Sequence, residues 1–186
     1  MRVNSLYASA ELSYKSFLYL NATGRNDWFS TLNPESNSYL YPSVTGSFVV
    51  SQAFTLPDWI SYAKVRGGYA EVGGATSPYM NNLYYSLNSQ THFGQALGSI
   101  SNSTAPNPNL RPLKIKELEG GIELKFFENR IGFDFGIYNK NTVDEILSVD
   151  VSTASGYSKS LVNVGKLNNK GVELMLTAIP VKVGSL

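Results

Sequence analysis

Apolar and polar residues alternate along much of the chain with a period of two, the spacing of a β-strand that has one apolar face. In the sharpest case, at positions 117–126, all charged side chains fall on one face and all apolar side chains on the other. The pattern recurs in seven segments, at about positions 5–14, 18–25, 43–51, 63–70, 117–126, 131–138 and 172–178. An eighth strand is expected to begin at Val181. No segment of useful length has helical periodicity, so the sequence predicts an all-β fold.

The predicted connections alternate between short and long. Short ones contain Lys15-Ser16, Leu56-Pro57-Asp58-Trp59 and Glu128-Asn129, and long ones follow the second, fourth and sixth segments. In an antiparallel up-and-down meander, this order places the short turns at one end and the long loops at the other. Transmembrane β-barrels have that asymmetry, and strands of about 9–12 residues match the length that a tilted strand needs to cross a bilayer.

Aromatic residues gather at both predicted ends of the strands. They are Tyr14, Phe17, Phe54, Trp59, Phe126 and Phe127 near the short turns, and Trp28, Phe29, Tyr39, Tyr41 and Tyr138 near the long loops. Two aromatic girdles are expected where a barrel meets the two membrane interfaces. The alternative is a soluble antiparallel β-sandwich, whose strands also alternate and whose aromatic residues form the core.

Strand number limits the barrel interpretation. Seven or eight strands close only the smallest barrel. An open sheet edge is not tolerated in lipid, because each unpaired backbone group there costs several kcal/mol. The chain is therefore expected either to close as a small eight-stranded barrel or to form one stretch of a larger barrel wall.

Composition excludes several classes of function. The 186 residues include 15 basic and 14 acidic side chains, so the chain lacks the strong positive charge of a nucleic-acid-binding protein. There is no cysteine and only one histidine, His92. Disulfide scaffolds, thiolate metal sites and most histidine-based catalytic schemes are excluded. We therefore expect no cofactor, no metal site and no enzyme activity.

Six ordered blocks carry a resemblance to a known family. They are YLNATGRNDWFSTL with YLYPSV (19–32 and 39–44), WISYAKVRGGYAEVG (59–73), NPNLRPLK (107–114), FENRIG (127–132), GY with LVNVG (156–157 and 161–165) and NKGVEL (169–174). In this order the blocks resemble the barrel of SusC/RagA-type TonB-linked outer-membrane transporters. The resemblance covers essentially positions 3–180.

The resemblance implies a much larger protein than this chain. Family members carry a plug domain inside a 22-stranded barrel, an N-terminal box that contacts TonB, and a terminal strand. Residues 1–186 are accordingly interpreted as an internal part of the barrel domain, from its C-terminal half, without those parts. The fold expected is an antiparallel up-and-down transmembrane β-barrel, represented by about seven to eight strands of its wall.

The resemblance also implies a function. Members import large nutrients, often glycans and sometimes peptides, across the outer membrane of Gram-negative bacteria. The implied partners are a SusD-like surface lipoprotein, the TonB complex and outer-membrane lipid. Two alternatives stay open at this point: a soluble carbohydrate-binding β-sandwich module, and a small structural or adhesive eight-stranded barrel.

The predicted loop at 73–110 is the first candidate for ligand binding. It contains no Asp, Glu, Lys or Arg. Its aromatic and amide side chains suit a neutral, hydroxyl-rich ligand, which favours a glycan, or an amphipathic protein partner. The candidate residues are Tyr79, Tyr84, Tyr85, Phe93, Asn81 and Asn82. The alternative is that these side chains pack against neighbouring loops or the lipoprotein.

The second candidate is the block Arg25-Asn26-Asp27-Trp28, at the predicted rim of the lumen. These residues are candidates for contact with substrate. The structural alternative pairs Arg25 with a carboxylate on the inner wall, uses Asp27 to cap the start of the loop and places Trp28 in the girdle. The other inner-wall charges are expected to pair across neighbouring strands or to contact the plug.

Overall fold

The computed structural model describes residues 1–74, 77–80, 82–100 and 102–180. Its strands are β1 (Val3–Tyr14), β2 (Leu18–Phe29), β3 (Ser38–Val49), β4 (Ile60–Gly74), β5 (Tyr85–His92), β6 (Gln95–Ile100), β7 (Thr104–Ala105), β8 (Leu113–Phe126), β9 (Ile131–Asp150) and β10 (Lys159–Ala178). One turn of helix, α1 (Val50–Ala53), and two 3₁₀ turns, Pro34–Ser36 and Thr153–Ser155, complete the elements. The all-β prediction is confirmed.

Eight of the strands form one open sheet in the order β1-β2-β3-β4-β8-β9-β10-β7. Neighbouring strands from β1 to β10 are antiparallel, whereas the two-residue strand β7 pairs with β10 in parallel. Strands β5 and β6 form a separate hairpin within the connection from β4 to β8. The up-and-down order predicted from the sequence is therefore present, and the sheet is a wall rather than a closed barrel.

The two faces of this wall differ in chemistry. Directly opposed residues lie on the same face, so the strand register assigns each side chain to a face. We call the apolar face the outer face and the other the inner face. The apolar band of the outer face comprises Leu6, Ala8, Ala10, Leu12, Leu20, Ala22, Val44, Phe48, Ala63, Val65, Tyr69, Leu118, Ile122, Leu124, Phe126, Ile131, Phe133, Phe135, Ile137, Val172, Leu174 and Leu176.

Within the described residues, no second sheet covers this band. Leu118 is 60% exposed, Leu174 59% and Val172 73%. A soluble sandwich would bury these side chains between its layers. The β-sandwich alternative is therefore wrong, and the exposed band has the character of a surface that meets lipid.

The height of the band matches a bilayer. On β8 it runs from Leu118 to Phe126, which at the usual rise and tilt of barrel strands corresponds to about 20 Å, near the apolar band of about 25 Å in outer-membrane barrels. Above this level the outer face becomes polar. Asn139, Asn141 and Asn168 lie there, and the Asn168 amide donates to the side-chain oxygens of Asn139 and Asn141 over 2.7 and 2.6 Å. The upper parts of β9 and β10 consequently stand clear of the membrane.

These upper extensions correct the predicted loops. The segments expected to be long loops after the second and sixth strands are mostly paired strand, and only residues 30–37 and 151–158 connect the strands there. The connection from β3 to β4, expected to be short, takes residues 50–59 and includes α1. Outside the bilayer both faces of a strand meet water, so alternation fades while backbone pairing continues. The long connection from β4 to β8 and the tight turn at Glu128-Asn129 are confirmed.

Only one of the two predicted girdles has the expected geometry. At the short-turn end, Trp59 stacks on Phe126 with ring centroids 5.7 Å apart, and Phe17 packs edge-on against Tyr14 and Phe48. At the other end, Phe29 and Tyr41 are 4% exposed, and they face inward with Tyr138. Tyr39, which lies opposite Asp27, faces inward as well, so the prediction that these four rings meet the membrane interface is wrong, whereas Trp28 does lie on the outer face.

The predicted eighth strand at Val181–Leu186 lies outside the described residues. Among the described residues, no helix is long and apolar enough to span a membrane.

The membrane level assigned to the sheet predicts a labelling pattern. In the complete receptor on whole cells, with any cysteine elsewhere replaced, a membrane-impermeant maleimide should label Asn141→Cys but not Ile122→Cys, because position 122 lies in the apolar band. As a control that the cysteine is present, the Ile122→Cys thiol should be labelled once the receptor is denatured in sodium dodecyl sulfate. Equal labelling of both positions on intact cells would contradict the assigned level.

Candidate functional site

The inner face is crossed by an arginine that bridges two strands. Arg66 on β4 forms two hydrogen bonds with the Asp134 carboxylate on β9, at 2.9 and 2.7 Å. Strand β8 lies between them, and its residue directly opposite Arg66 is Gly121. A Cβ at Gly121 would lie 3.1 Å from Arg66 Nε and 2.9 Å from the Phe135 carbonyl oxygen. Because Gly121 has no side chain, the Arg66 guanidinium can cross β8 to reach Asp134.

Further ion pairs follow on the same face. Lys125 lies 3.3 Å from Glu123 on its own strand, and Lys140 lies 3.8 Å from the opposed Glu117. The predicted pairing across strands is thus confirmed for Glu117 and Arg66, whereas Lys125 pairs with Glu123 along its own strand. A cavity of about 90 Å³ opens beside them, lined by Arg66, Glu117, Glu119, Gly120, Gly136, Ile137, Tyr138 and Glu173. The inner face is thus hydrated and charged, as the wall of an aqueous lumen requires.

The rim block splits between the two faces. Arg25 and Asp27 point inward and lie 3.0 Å apart, which confirms the expected pairing of Arg25 with a carboxylate. Asp27 belongs to β2 rather than to a loop, so the capping role is wrong. Asn26 and Trp28 occupy the outer face, where the Asn26 amide donates to the Ser38 hydroxyl at 2.9 Å.

A buried aromatic group lies next to Asp27. The Arg25 guanidinium lies 5.8 Å from the centroid of the Tyr41 ring, a cation–π distance. Burial, reinforced by the negative charge of Asp27, raises the pKa of Tyr41 to about 12. A Cβ at Gly73 would clash with the Tyr41 ring, so this position requires glycine. Tyr41 therefore remains neutral at physiological pH.

The returning end of the loop at 73–110 crosses the inner side of these strands. We call residues 106–112 the strap. Leu110 of the strap is 1% exposed and packs in one cluster with Phe29, Leu32 and Tyr41 near β2 and β3. Ile146 of β9 and Leu161 of β10 pack against the same cluster. The strap thereby connects strands that lie at opposite sides of the sheet.

Polar contacts hold the strap to β9 and β10. The Asn163 side chain accepts from the Arg111 amide at 2.9 Å and donates to the Arg111 and Asp144 carbonyls, both at 2.8 Å. Arg111 also forms an ion pair of 2.9 Å with Asp144, whose φ is +57°. The Asn107 amide donates to the Leu161 carbonyl at 2.8 Å. The NPNLRPL sequence is therefore the anchor of the long loop.

The two strands from which the loop leaves and returns are also fixed. Glu71 on β4 lies 2.9 Å from Lys114 and 3.6 Å from Lys116, both on β8. A hydrogen bond from the Tyr69 hydroxyl, together with these lysines, lowers the pKa of the Glu71 carboxyl. Ion pairs therefore join β4 and β8 near the points where the loop begins and ends.

The candidate residues of the loop lie on its exposed part. Phe93 forms the tip of the β5–β6 hairpin and is 92% exposed, and its φ of +50° is rare for an aromatic residue. Tyr79 and Tyr85 are 72% and 70% exposed, and Tyr84 packs edge-on against Tyr79 with ring centroids 5.4 Å apart. Asn82 is exposed, and Asn81 lies outside the described residues.

In the described part of the chain, no three histidine, cysteine or carboxylate side chains lie together as metal ligands would.

Comparison with known proteins agrees with this geometry. The family described as TonB dependent receptor-like, beta-barrel, matches residues 1–179. The chain belongs to this family. Its wall has the apolar outer face and charged inner face that an outer-membrane barrel of the family needs.

Curated relatives are long TonB-dependent receptors. Receptor P26 of Formosa agariphila is 27% identical over 97% of this chain, and receptor P3 of the same organism is 25% identical over 94%. These matches cover 19% and 18% of the two relatives. The chain thus spans about a fifth of their length.

Solved structures that resemble the chain include SusC/RagA-type barrels. The RagAB peptide importer in its closed-closed state aligns with a TM-score of 0.84 and 26% identity, over 94% of this chain and 19% of that chain. The siderophore receptor PirA of Pseudomonas aeruginosa aligns with a TM-score of 0.61 over 92% of this chain and 30% of its own. At 20% identity, the second likeness shows the shared fold alone.

The ion pair across Gly121 predicts energetic coupling between β4 and β9. Arg66→Ala and Asp134→Ala should each lower the free energy of unfolding of the complete receptor. The loss in the double variant should be about 1 kcal/mol smaller than the sum of the two single losses. Denaturant unfolding, followed by the gel shift of the folded barrel, measures this coupling. Additive effects within the measurement error would show that the pair contributes nothing.

Burial of Leu110 predicts that the strap controls the loop. Leu110→Ala removes a fully buried side chain and should destabilise the strap by about 2–5 kcal/mol. Limited proteolysis of the complete receptor should then cleave within residues 77–112 faster than in the wild type. Leu87→Ala, at a position that is 77% exposed on the hairpin, is the matched control. Equal cleavage of both variants would contradict the role of Leu110.

Proposed function

We propose that this chain is an internal part of the barrel wall of a TonB-dependent transporter in the outer membrane of a Gram-negative bacterium. Family membership, together with the apolar outer face and charged inner face, is the observation that carries the proposal. The plug domain, the TonB box and the terminal strand are assigned to parts of the protein beyond residues 1–186. The match to only about a fifth of each curated relative supports this assignment.

The proposed activity is import of a large nutrient, with an oligosaccharide favoured. The loop at 73–110 has no charged residue, and it presents exposed rings and amides that suit a neutral, hydroxyl-rich ligand. Tyr79, Tyr84, Tyr85, Phe93, Asn81 and Asn82 are the proposed contacts. At the lumen rim, Arg25 is the proposed contact, because Asn26 and Trp28 face outward and Asp27 is 4% exposed.

Peptide import is the second candidate. It is supported by the 26% identity to RagA in the RagAB peptide importer. The same likeness supports a SusD-like surface lipoprotein as the partner above the loops, with TonB engaged through a part of the protein outside this chain. The proposed role is transport, and no residue of the chain is assigned to catalysis.

Uptake by cells tests this function. Cells that carry the receptor should accumulate a fluorescent neutral oligosaccharide, and deletion of its gene should abolish this uptake because the receptor is the proposed route across the outer membrane. A protonophore should have the same effect, since TonB draws on the proton-motive force. A fluorescent oligopeptide of similar mass is the comparison, and its selective uptake would favour the second candidate. Receptor-independent uptake of both probes would contradict the proposal.

A further inference from the structure

We propose that a small pocket at the base of the β5–β6 hairpin is a subsite for one sugar ring of a neutral oligosaccharide. The pocket has a volume of about 240 Å³ and lies between the segment before β5 and the segment that carries β7. It is lined by Tyr79, Met80, Asn82, Asn102, Ser103, Thr104 and Pro106. This subsite deepens the proposed function and rests on it.

Hydrogen bonds hold one wall of the pocket to β10 and connect it to the other wall. The Ser103 carbonyl accepts from the backbone amides of Ser158 and Lys159 at 2.9 and 3.1 Å and from the Ser158 hydroxyl at 3.1 Å. Thr104 pairs with Lys159 through the β7–β10 ladder. The backbone N–H of Asn107 in the strap donates to the Met80 carbonyl at 3.4 Å and so links one wall to the other. A pocket held in this way costs little ordering when a ligand binds.

The side chains around the pocket combine one ring with several neutral polar groups. Tyr79 leaves most of its ring exposed, and its edge-to-face contact with Tyr84 sets the plane of the ring. The amides of Asn82 and Asn102 and the hydroxyls of Ser103 and Thr104 supply both donors and acceptors. A sugar ring presents apolar C–H groups on one face and hydroxyls around its edge, and this combination matches both features.

The charge and size of the pocket further restrict the ligands that it can bind. No lining residue is charged, so a charged group entering the pocket would lose hydration without gaining a counter-ion. The volume is below the range of about 300–1,000 Å³ typical of sites for drug-sized ligands. One ring therefore fits, and the rest of an oligosaccharide chain would extend along the loop surface.

Titration of the purified, complete receptor with neutral oligosaccharides selected on a glycan array tests the subsite. Tyr79→Ala should weaken binding about tenfold, because it removes the ring on which the sugar rests. Tyr79→Phe keeps that ring and should retain most of the affinity. The control is Leu87→Ala, which removes a large exposed side chain from the β5–β6 hairpin outside the pocket. This variant should bind the oligosaccharide as the wild type does.

Two results with neutral glycans would overturn the subsite. One is the absence of binding to every neutral glycan on the array, and the other is wild-type affinity in Tyr79→Ala. Selective binding of oligopeptides or acidic glycans has the same consequence. The uptake measurement separates this failure from failure of the transport function, since a receptor that imports its nutrient with Tyr79→Ala in place remains a transporter without this subsite.

Discussion

Hydrocarbon offers no hydrogen-bond partner to a peptide group, and this constraint shapes the whole wall. Seven long strands pair their backbones laterally, and each then turns one row of side chains toward lipid and the other toward water. The apolar band follows from that requirement. The same requirement means that the open edges of the sheet, at β1 and β10, need further strands beside them before the sheet can span a membrane. The chain is accordingly understood as a component of a larger barrel.

Two side-chain contacts on the inner face join strands that are not neighbours in the sheet. Arg66 reaches Asp134 across Gly121, and the strap joins the ends of β2 and β3 to β9 and β10 through Leu110. One contact lies at membrane level and the other above it. Together they connect strands that backbone pairing links only through their neighbours, so side chains as well as backbone pairing hold the sheet and the end of the long loop in place.

The alternation of apolar and polar residues predicted the strands well in the segments that cross the membrane. Residues 117–126 show the period clearly because one face meets lipid and the other meets water. The same argument explains the missed parts of β9 and β10: Asn139, Lys140 and Asn141 are all polar, since both faces lie in water there. Burial of Leu110 escaped prediction because it depends on residues as distant in sequence as Phe29 and Leu161. The NPNLRPL block was recognised as a motif, but its role as an anchor emerged only from the contacts of Asn107 and Arg111.

The central claim is that the outer face meets acyl chains while the inner face meets water. Nitroxide labels placed singly at positions 117–126 of the complete receptor in lipid bilayers test it most directly, by their collision rates with oxygen and with a water-soluble nickel complex. The account predicts that oxygen accessibility peaks at even positions and nickel accessibility at odd positions. Loss of this alternation, or nickel access at Ile122 and Leu124 equal to that at Glu119 and Glu123, would contradict it.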